Sequence, residues 1–375
     1  MHGVLRAGWV WGLLLLAVGC GASSPEPYEW QLPPGFPEPA VPTDNPMSAA
    51  KVELGRYLFY DTRLSANGTQ SCASCHRQEQ AFTDGRVTAR GSTGEQHRRN
   101  SMSLANVAYA ASLTWAHPGL PELEAQALVP LFGEHPVELG LAGQEDLLLQ
   151  RLTADSRYPK LFAAAFPEEQ QPVSMGSIAR AISAFERTLL SGGSPYDRYT
   201  FRDELDALSL SARRGMKLFF SDRLECFHCH RGFSFTDSVK HRLEVSPDLA
   251  FHNTNLYNVD GQGAYPDTDQ GLRELTGQPQ DTGHYRAPTL RNVSVTAPYM
   301  HDGSIATLSE VLEHYAAGGR ASAKGTAPSP FQSEFMRGFT LTDQEREDVL
   351  AFLESLTDPE FLTDPRFSDP FASVP

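Results

Sequence analysis

Apolar residues recur along this chain at helical spacing. Ala50, Leu54, Tyr57 and Leu58 fall on one face of a segment that opens at Ser48 and closes near Tyr60-Asp61, which predicts an amphipathic helix. The stretch from Ser177 to Leu189 repeats the pattern. A third stripe, Val349, Phe352, Leu353 and Leu356, predicts a last helix from Asp343 to Leu356. Thr342 supplies its cap, and Glu345 completes a capping box. Ser191 to Tyr199 is rich in Ser, Gly and Pro and predicts a turn-rich connection, with a unit boundary near residue 200. From Thr357 the chain is rich in Pro and Asp and is expected to wrap the surface.

The first helix is followed by Asp61-Thr62-Arg63-Leu64 and then by Cys72-Ala73-Ser74-Cys75-His76. The same order returns at residues 211–230: a helical segment with an internal glycine, an aromatic end, Asp222-Arg223-Leu224, then Cys226-Phe227-His228-Cys229-His230. This is an internal repeat. Each copy ends in C-x-x-C-H, the attachment signature of a c-type haem: two thiols reach two vinyl groups of one porphyrin, and the next histidine reaches the iron. A zinc site built from the four cysteines, or a pair of disulfides, is the alternative, and it leaves the histidine after each pair without a role. The expected fold is mostly α, two fused cytochrome c-type domains at 47–200 and 201–375, each with one covalent haem.

Composition adds the compartment. The fifth cysteine, Cys20, ends an apolar run behind Arg6 and follows Gly19. This pattern reads as a secretory signal over residues 1–20, similar to that of a bacterial lipoprotein. Residues 21–46, rich in Pro, Ser, Gly and Glu, then read as a flexible tether. The expected location is the periplasm or cell envelope, with a lipid on Cys20 as the sole membrane contact. The formal charge of −15 argues against nucleic acid and anionic lipid as partners, and suits a partner with a basic patch or a metal-binding one.

Several phrases, in this order, resemble the bacterial di-haem cytochrome c peroxidase and MauG superfamily: Phe82-Thr83-Asp84-Gly85, Arg99-Asn100, Phe185-Glu186-Arg187-Thr188-Leu189 and Thr296-Ala297-Pro298-Tyr299-Met300-His301-Asp302-Gly303. The resemblance spans residues 48 to 357. It implies that the haem of His76 reacts with hydrogen peroxide, that His230 ligates the second haem, and that Gln126 and Glu138 stand over the first. A carboxylate there can carry a peroxide proton from one oxygen to the other before the O–O bond breaks. Leu139 stands where many peroxidases have Met. The resemblance also makes Trp115 the residue between the haems, although Ala116-His117-Pro118-Gly119 replaces the usual Asp-Gly-Arg after it; core packing is the other role open to Trp115.

The second haem's distal ligand divides the family: Met in classical peroxidases, which supports a high potential, and Tyr in MauG-like members. Tyr315 stands at the matching place, with Met300 and His314 as competitors. A calcium ion between the domains is also implied, held by Asn100 and by carbonyls of Thr296 and Pro298. His97 reads as a loop histidine rather than a movable haem ligand. Residues 136–143 look similar to the MbnH branch, whose members oxidise a tryptophan of a partner copper-binding protein. The expectation is therefore a haem-dependent peroxidase that oxidises an aromatic residue of an exported partner. A classical cytochrome c peroxidase fed by a small cytochrome or cupredoxin, and a non-catalytic electron-transfer protein, are the alternatives.

Overall fold

The computed structural model describes residues 28–372 except 245, 246 and 248. The signal-like run, Cys20 and the first part of the segment 21–46 lie outside the described residues. Among those described, no helix is long and apolar enough to cross a membrane. The architecture is helical, with isolated β-bridges in place of extended strands.

The first unit contains α1 (Ala49–Tyr60), α2 (Leu123–Phe132), α3 (Glu145–Ala154), α4 (Arg157–Ala165) and α5 (Met175–Glu186). Ser48 caps α1 by accepting the Lys51 N–H at 3.2 Å. The apolar stripe of α1 then buries Leu54, Leu58 and Phe59 against Ile178, Ile182 and Phe185 of α5. The second unit contains α6 (Pro195–Phe201), α7 (Leu210–Phe219), the short α8 (Arg273–Thr276), α9 (Leu308–Ala316), the short α10 (Arg320–Ala323) and α11 (Asp343–Glu354). Phe219 of α7 and Val349 and Phe352 of α11 form its core with Phe235. The capping box of α11 forms as read: Thr342 Oγ1 accepts the Glu345 N–H at 3.2 Å, and the Glu345 carboxylate accepts the Thr342 N–H at 2.9 Å.

The repeat is a repeat of helix crossings. A Cβ on Gly55 would stand 1.9 Å from the Ala181 carbonyl oxygen of α5, and one on Gly215 would stand 1.8 Å from the Asp348 carbonyl oxygen of α11. Both glycines let two helix backbones touch at the crossing of α1 with α5 and of α7 with α11.

Three segments differ from the reading of the sequence. The connection 191–199 contains the start of α6, because Ser194 and Asp197 form a capping box and Pro195 occupies the first turn. From Tyr28 on, the supposed tether is packed. Phe36 lies against Tyr109 and Phe233, at ring distances of 6.0 and 4.7 Å. Asn45 is fully buried between Lys51 Nζ (3.0 Å) and Glu124 (2.6 Å). The tail assigned to the second unit packs on the first: Phe361 and Phe367 join its core, and Tyr60 donates to the Phe367 carbonyl at 2.6 Å.

Gly215→Ala should therefore destabilise the folded protein by about 1–3 kcal/mol, the usual penalty of overpacking. Gly176→Ala, on α5 with only the Ser174 hydroxyl at 4.0 Å from its Cβ position, should be neutral or slightly stabilising. Chemical denaturation of the haem-loaded protein measures both, and equal effects would refute the crossing argument.

Candidate active site

Cys72–Ser74 forms a single helical turn just after α1, capped reciprocally by Ser71 and Ser74. The chain then folds back so that the His76 ring meets the Phe82 carbonyl at 2.7 Å. A carbonyl can only accept, so Nδ1 carries the proton and Nε2 keeps its lone pair for a metal. The fold-back places Ala81 and Phe82 at φ of 50° and 62°. Cys72, Cys75 and His76 are only partly covered, yet burial pushes the Cys75 thiol up to about 12 and the His76 imidazole below its ordinary value. Their open surface thus faces an interior cleft and not bulk water.

Two carboxyls share that cleft. Glu138 lies near enough to Cys72 and Cys75 for its charge to raise both thiols. Its side chain is 36% open, but burial alone pushes it up to about 7. Its backbone is held on three sides: the Glu138 carbonyl accepts the Ser92 N–H at 2.7 Å, while Leu139 donates its N–H to Pro130 of α2 and accepts that of Ala66. Gly91 makes this possible, since a Cβ there would stand 1.7 Å from the Val137 carbonyl oxygen. Gln126 lies one turn before Pro130 on α2 and is half-buried. His97, read as a loop histidine, comes within 3.9 Å of the Glu138 carboxylate, because the 89–97 hairpin folds onto residues 137–140.

The second carboxyl was missed. Glu186 ends α5, is 6% exposed, and its Oε2 has no hydrogen-bond partner. Its neighbour Arg187 is committed elsewhere, clamping Glu124 with two 2.7 Å bonds. Burial pushes Glu186 up to about 8, and its charge raises Cys72. The signal was the charged pair Glu186-Arg187 directly after the apolar stripe of α5.

The second site repeats the first. His230 Nδ1 donates to the Phe235 carbonyl at 3.1 Å, and Phe235 has φ of 50°. A large cavity brings together Cys226, Cys229, His230 and Tyr315. Tyr315 is raised above its ordinary pKa by burial first, then by the charges of Cys229 and Cys226. Met300 lines the same cavity, as do Met102 and Met336. His314 does not: its Nδ1 accepts the Arg320 N–H at 2.9 Å, and burial lowers it to about 4. Arg286 is buried in the cavity wall with two long contacts, to the Thr114 carbonyl (3.3 Å) and Met102 sulfur (3.2 Å). A buried cation so weakly partnered suits an anionic group such as a haem propionate.

Trp115, Asn100, Thr296 and Pro298 line this same cavity. Trp115 Nε1 donates to the Asn100 carbonyl at 2.9 Å. The Asn100 side chain donates to Arg86 and Val87 carbonyls at 2.7 and 3.2 Å. Among the described residues no disulfide forms, and no cluster collects four cysteines. The donor set fits haem: two thiols and one oriented imidazole, twice, with a large cavity at the second.

A family model described as di-haem cytochrome c peroxidase matches residues 49–205, and one described as RoxA-like, cytochrome c-like, matches residues 283–317. The chain is 37% identical over 374 residues to cytochrome-c peroxidase IdrP1 of Denitromonas iodatirespirans, covering 94% of each chain. It is 33% identical to the methylamine utilization protein MauG of Methylorubrum extorquens, over 87% of this chain and 83% of that one. A solved structure of a MauG-like protein associated with microbial copper homeostasis matches with a TM-score of 0.88 at 48% identity, covering 92% of this chain and 100% of that one.

Burial disfavours the carboxylate anion, so both cleft carboxyls should stay protonated where an exposed glutamate has ionised, and ionise as pH rises. Infrared titration should show one carboxyl titrating near pH 7 and lost in Glu138→Gln, and a second near pH 8 lost in Glu186→Gln. Titration of both near the ordinary 4.5 would show a wet cleft.

Proposed function

The chain belongs to the di-haem cytochrome c peroxidase and MauG family, and on that premise we propose that it uses hydrogen peroxide to oxidise an aromatic side chain, a tryptophan, of an exported copper-binding partner. Family membership makes it a haem oxidoreductase with two haem c groups. Bound haem supplies the iron at which peroxide is reduced and the oxidising equivalents are held. The cysteine pairs and His76 and His230 hold the two groups. Glu138, in its dry cleft, moves a proton between the peroxide oxygens, and Gln126 orients peroxide or water.

The observation that carries the reading is that Tyr315 lines the same cavity as Cys226, Cys229 and His230. A phenolate donor at the second haem would lower its potential and would favour retention of oxidising equivalents over fast reduction by a small cytochrome. The MauG-like structural relative, associated with microbial copper homeostasis, supports a copper protein as partner. Met300 in the same cavity favours the second reading, a classical cytochrome c peroxidase.

Two further assignments belong to this reading. Calcium, held by Asn100 with Thr296 and Pro298 carbonyls, would fix Trp115 through the Asn100 carbonyl. Export and a lipid on Cys20 agree with c-type haem and an extracytoplasmic partner.

The test is peroxide titration of the di-ferric protein by optical and EPR spectroscopy, with mass analysis of the copper-binding partner. Glu138→Gln should slow the peroxide reaction by about 10²–10⁴-fold, the usual worth of a general base. In the wild type the rate should rise as pH increases through about 7, where Glu138 becomes the anion. Tyr315→Phe should abolish partner oxidation and alter the second haem's spectrum. A methionine–iron band at that haem, unchanged in Tyr315→Phe, would establish the classical peroxidase.

A further inference from the structure

Beside the second site, four aromatic side chains lead outward. The rings of Tyr285 and His301 stack at 3.7 Å and line the cavity that holds Tyr315 and Trp115. Tyr265, 2% exposed, lies behind them at 6.2 Å from Tyr285 and 6.3 Å from His301. Tyr257 follows at 5.5 Å and is partly exposed. Phenylalanine would fill the same volume with no hydroxyl to satisfy in the interior, so the phenols at the two ends, Tyr285 and Tyr257, call for an explanation beyond packing.

Their partners give one. Tyr285 donates to Asp269 at 2.9 Å, and Tyr257 donates to Asp302 at 2.5 Å. Burial pushes both aspartates up. The Arg99 ion pair outweighs it at Asp269, and the Tyr257 hydrogen bond and His301 outweigh it at Asp302, so both stay below the ordinary value. Each end phenol therefore faces an ionised base. Tyr265 donates to the amide oxygen of Asn253 at 3.2 Å and accepts the Leu256 N–H at 3.2 Å, so its acceptor is an amide and not a carboxylate. Arginines stand over the end rings, Arg99 at 5.5 Å from Tyr285 and Arg320 at 4.8 Å from Tyr257. A cation over a ring opposes a positively charged ring, so these phenols lose an electron only together with their proton.

We propose that Tyr285, Tyr265 and Tyr257 form a one-electron conduit from the second site to the surface, with Tyr257 as the last relay before the partner's aromatic side chain. The inference rests on the peroxidase reading above. Hydrogen peroxide is the oxidant: it takes two electrons and two protons to give two waters, and the electrons are withdrawn one at a time. At each end relay Tyr–OH gives its electron inward and its proton to the facing carboxylate, leaving a neutral phenoxyl radical. The radical at Tyr257 then takes an electron from the partner and recovers its proton from Asp302. Tyr265, without a base, bridges without holding the charge.

The test treats the full haem-loaded protein with peroxide and the trap 2-methyl-2-nitrosopropane, with freeze-quench EPR and peptide mass mapping. The wild type should show a tyrosyl radical and a trap adduct on Tyr257. Tyr257→Phe should lose the adduct, Tyr285→Phe should lower the Tyr257 adduct at least tenfold, and Tyr265→Phe, which keeps the bridging ring, should leave it within about twofold. Resting haem spectra identical to wild type establish that the variants are folded; should Tyr285→Phe fail this check, Asp269→Asn, which keeps the ring and removes its base, takes its place with the same expected loss. Peroxide consumed without an adduct on Tyr257, or an adduct indifferent to the change at 285 or 269, overturns the conduit. Haems that ignore peroxide sink the underlying peroxidase reading instead.

Discussion

The hydrogen bond from a histidine Nδ1 to a carbonyl six residues on at His76, and five at His230, is the constraint from which the two sites follow. It settles which nitrogen keeps its lone pair, and it aims that nitrogen away from the chain. The bond forms only if the loop doubles back, which forces Phe82 and Phe235 into the left-handed region. Such a backbone conformation costs of order 1–3 kcal/mol and persists only where the surroundings over-determine it. The surroundings are the helix crossings. Phe82 is packed against Phe59 of α1, and Phe235 against Phe219 of α7 and Phe352 of α11. The glycine contacts at Gly55 and Gly215 bring those helices close enough to serve as the anvil.

What could be read along the chain was what is local. The C-x-x-C-H spacing, the capping box at Thr342 and Glu345, and the order of the repeat each involve residues within one or two turns. What escaped depends on contacts between distant segments. Nothing local distinguishes Phe36 in a Pro-rich stretch from a residue in a tether; it is buried because Tyr109 and Phe233 come from two other loops. The tail returns to the first unit because Gln78 offers donors to the Phe361 and Asp364 carbonyls, almost three hundred residues away in sequence. Glu186 and His97 escaped for the same reason. Glu186 is buried near Glu124 of α2 and Cys72, and His97 meets Glu138, and none of these is near its partner in sequence.

The two sites share a frame but not a chemistry. Around the first stand two carboxyls held back from ionising by burial. Around the second stand phenols, a stacked imidazole and a thinly partnered arginine. Groups of the first kind move protons at a pH where ordinary carboxylates no longer hold them. Groups of the second kind hold or pass electrons, and Asp269 and Asp302, the carboxylates that face the phenols of Tyr285 and Tyr257, are held below their ordinary pKa. A single cavity with both sets would let the phenols be oxidised where peroxide enters; separating the sets keeps proton transfer apart from the stored oxidising equivalents.

Separation creates a need for coupling, and Asn100 meets it. Its side chain donates to Arg86 and Val87, in the loop that follows the first haem motif. Its N–H donates to the His301 carbonyl at 2.7 Å, on the aromatic path of the second site. Its carbonyl accepts the Trp115 indole. One residue thus ties the rim of the proton-handling cleft, the indole on the cavity wall and the imidazole stacked on Tyr285. Gly303 seals the same junction, since a Cβ there would stand 2.3 Å from the Val87 carbonyl oxygen. The junction is built from backbone carbonyls on both sides, so neither unit can shift against the other without breaking several of these bonds at once. That rigidity holds the Trp115 indole in one orientation on the cavity wall.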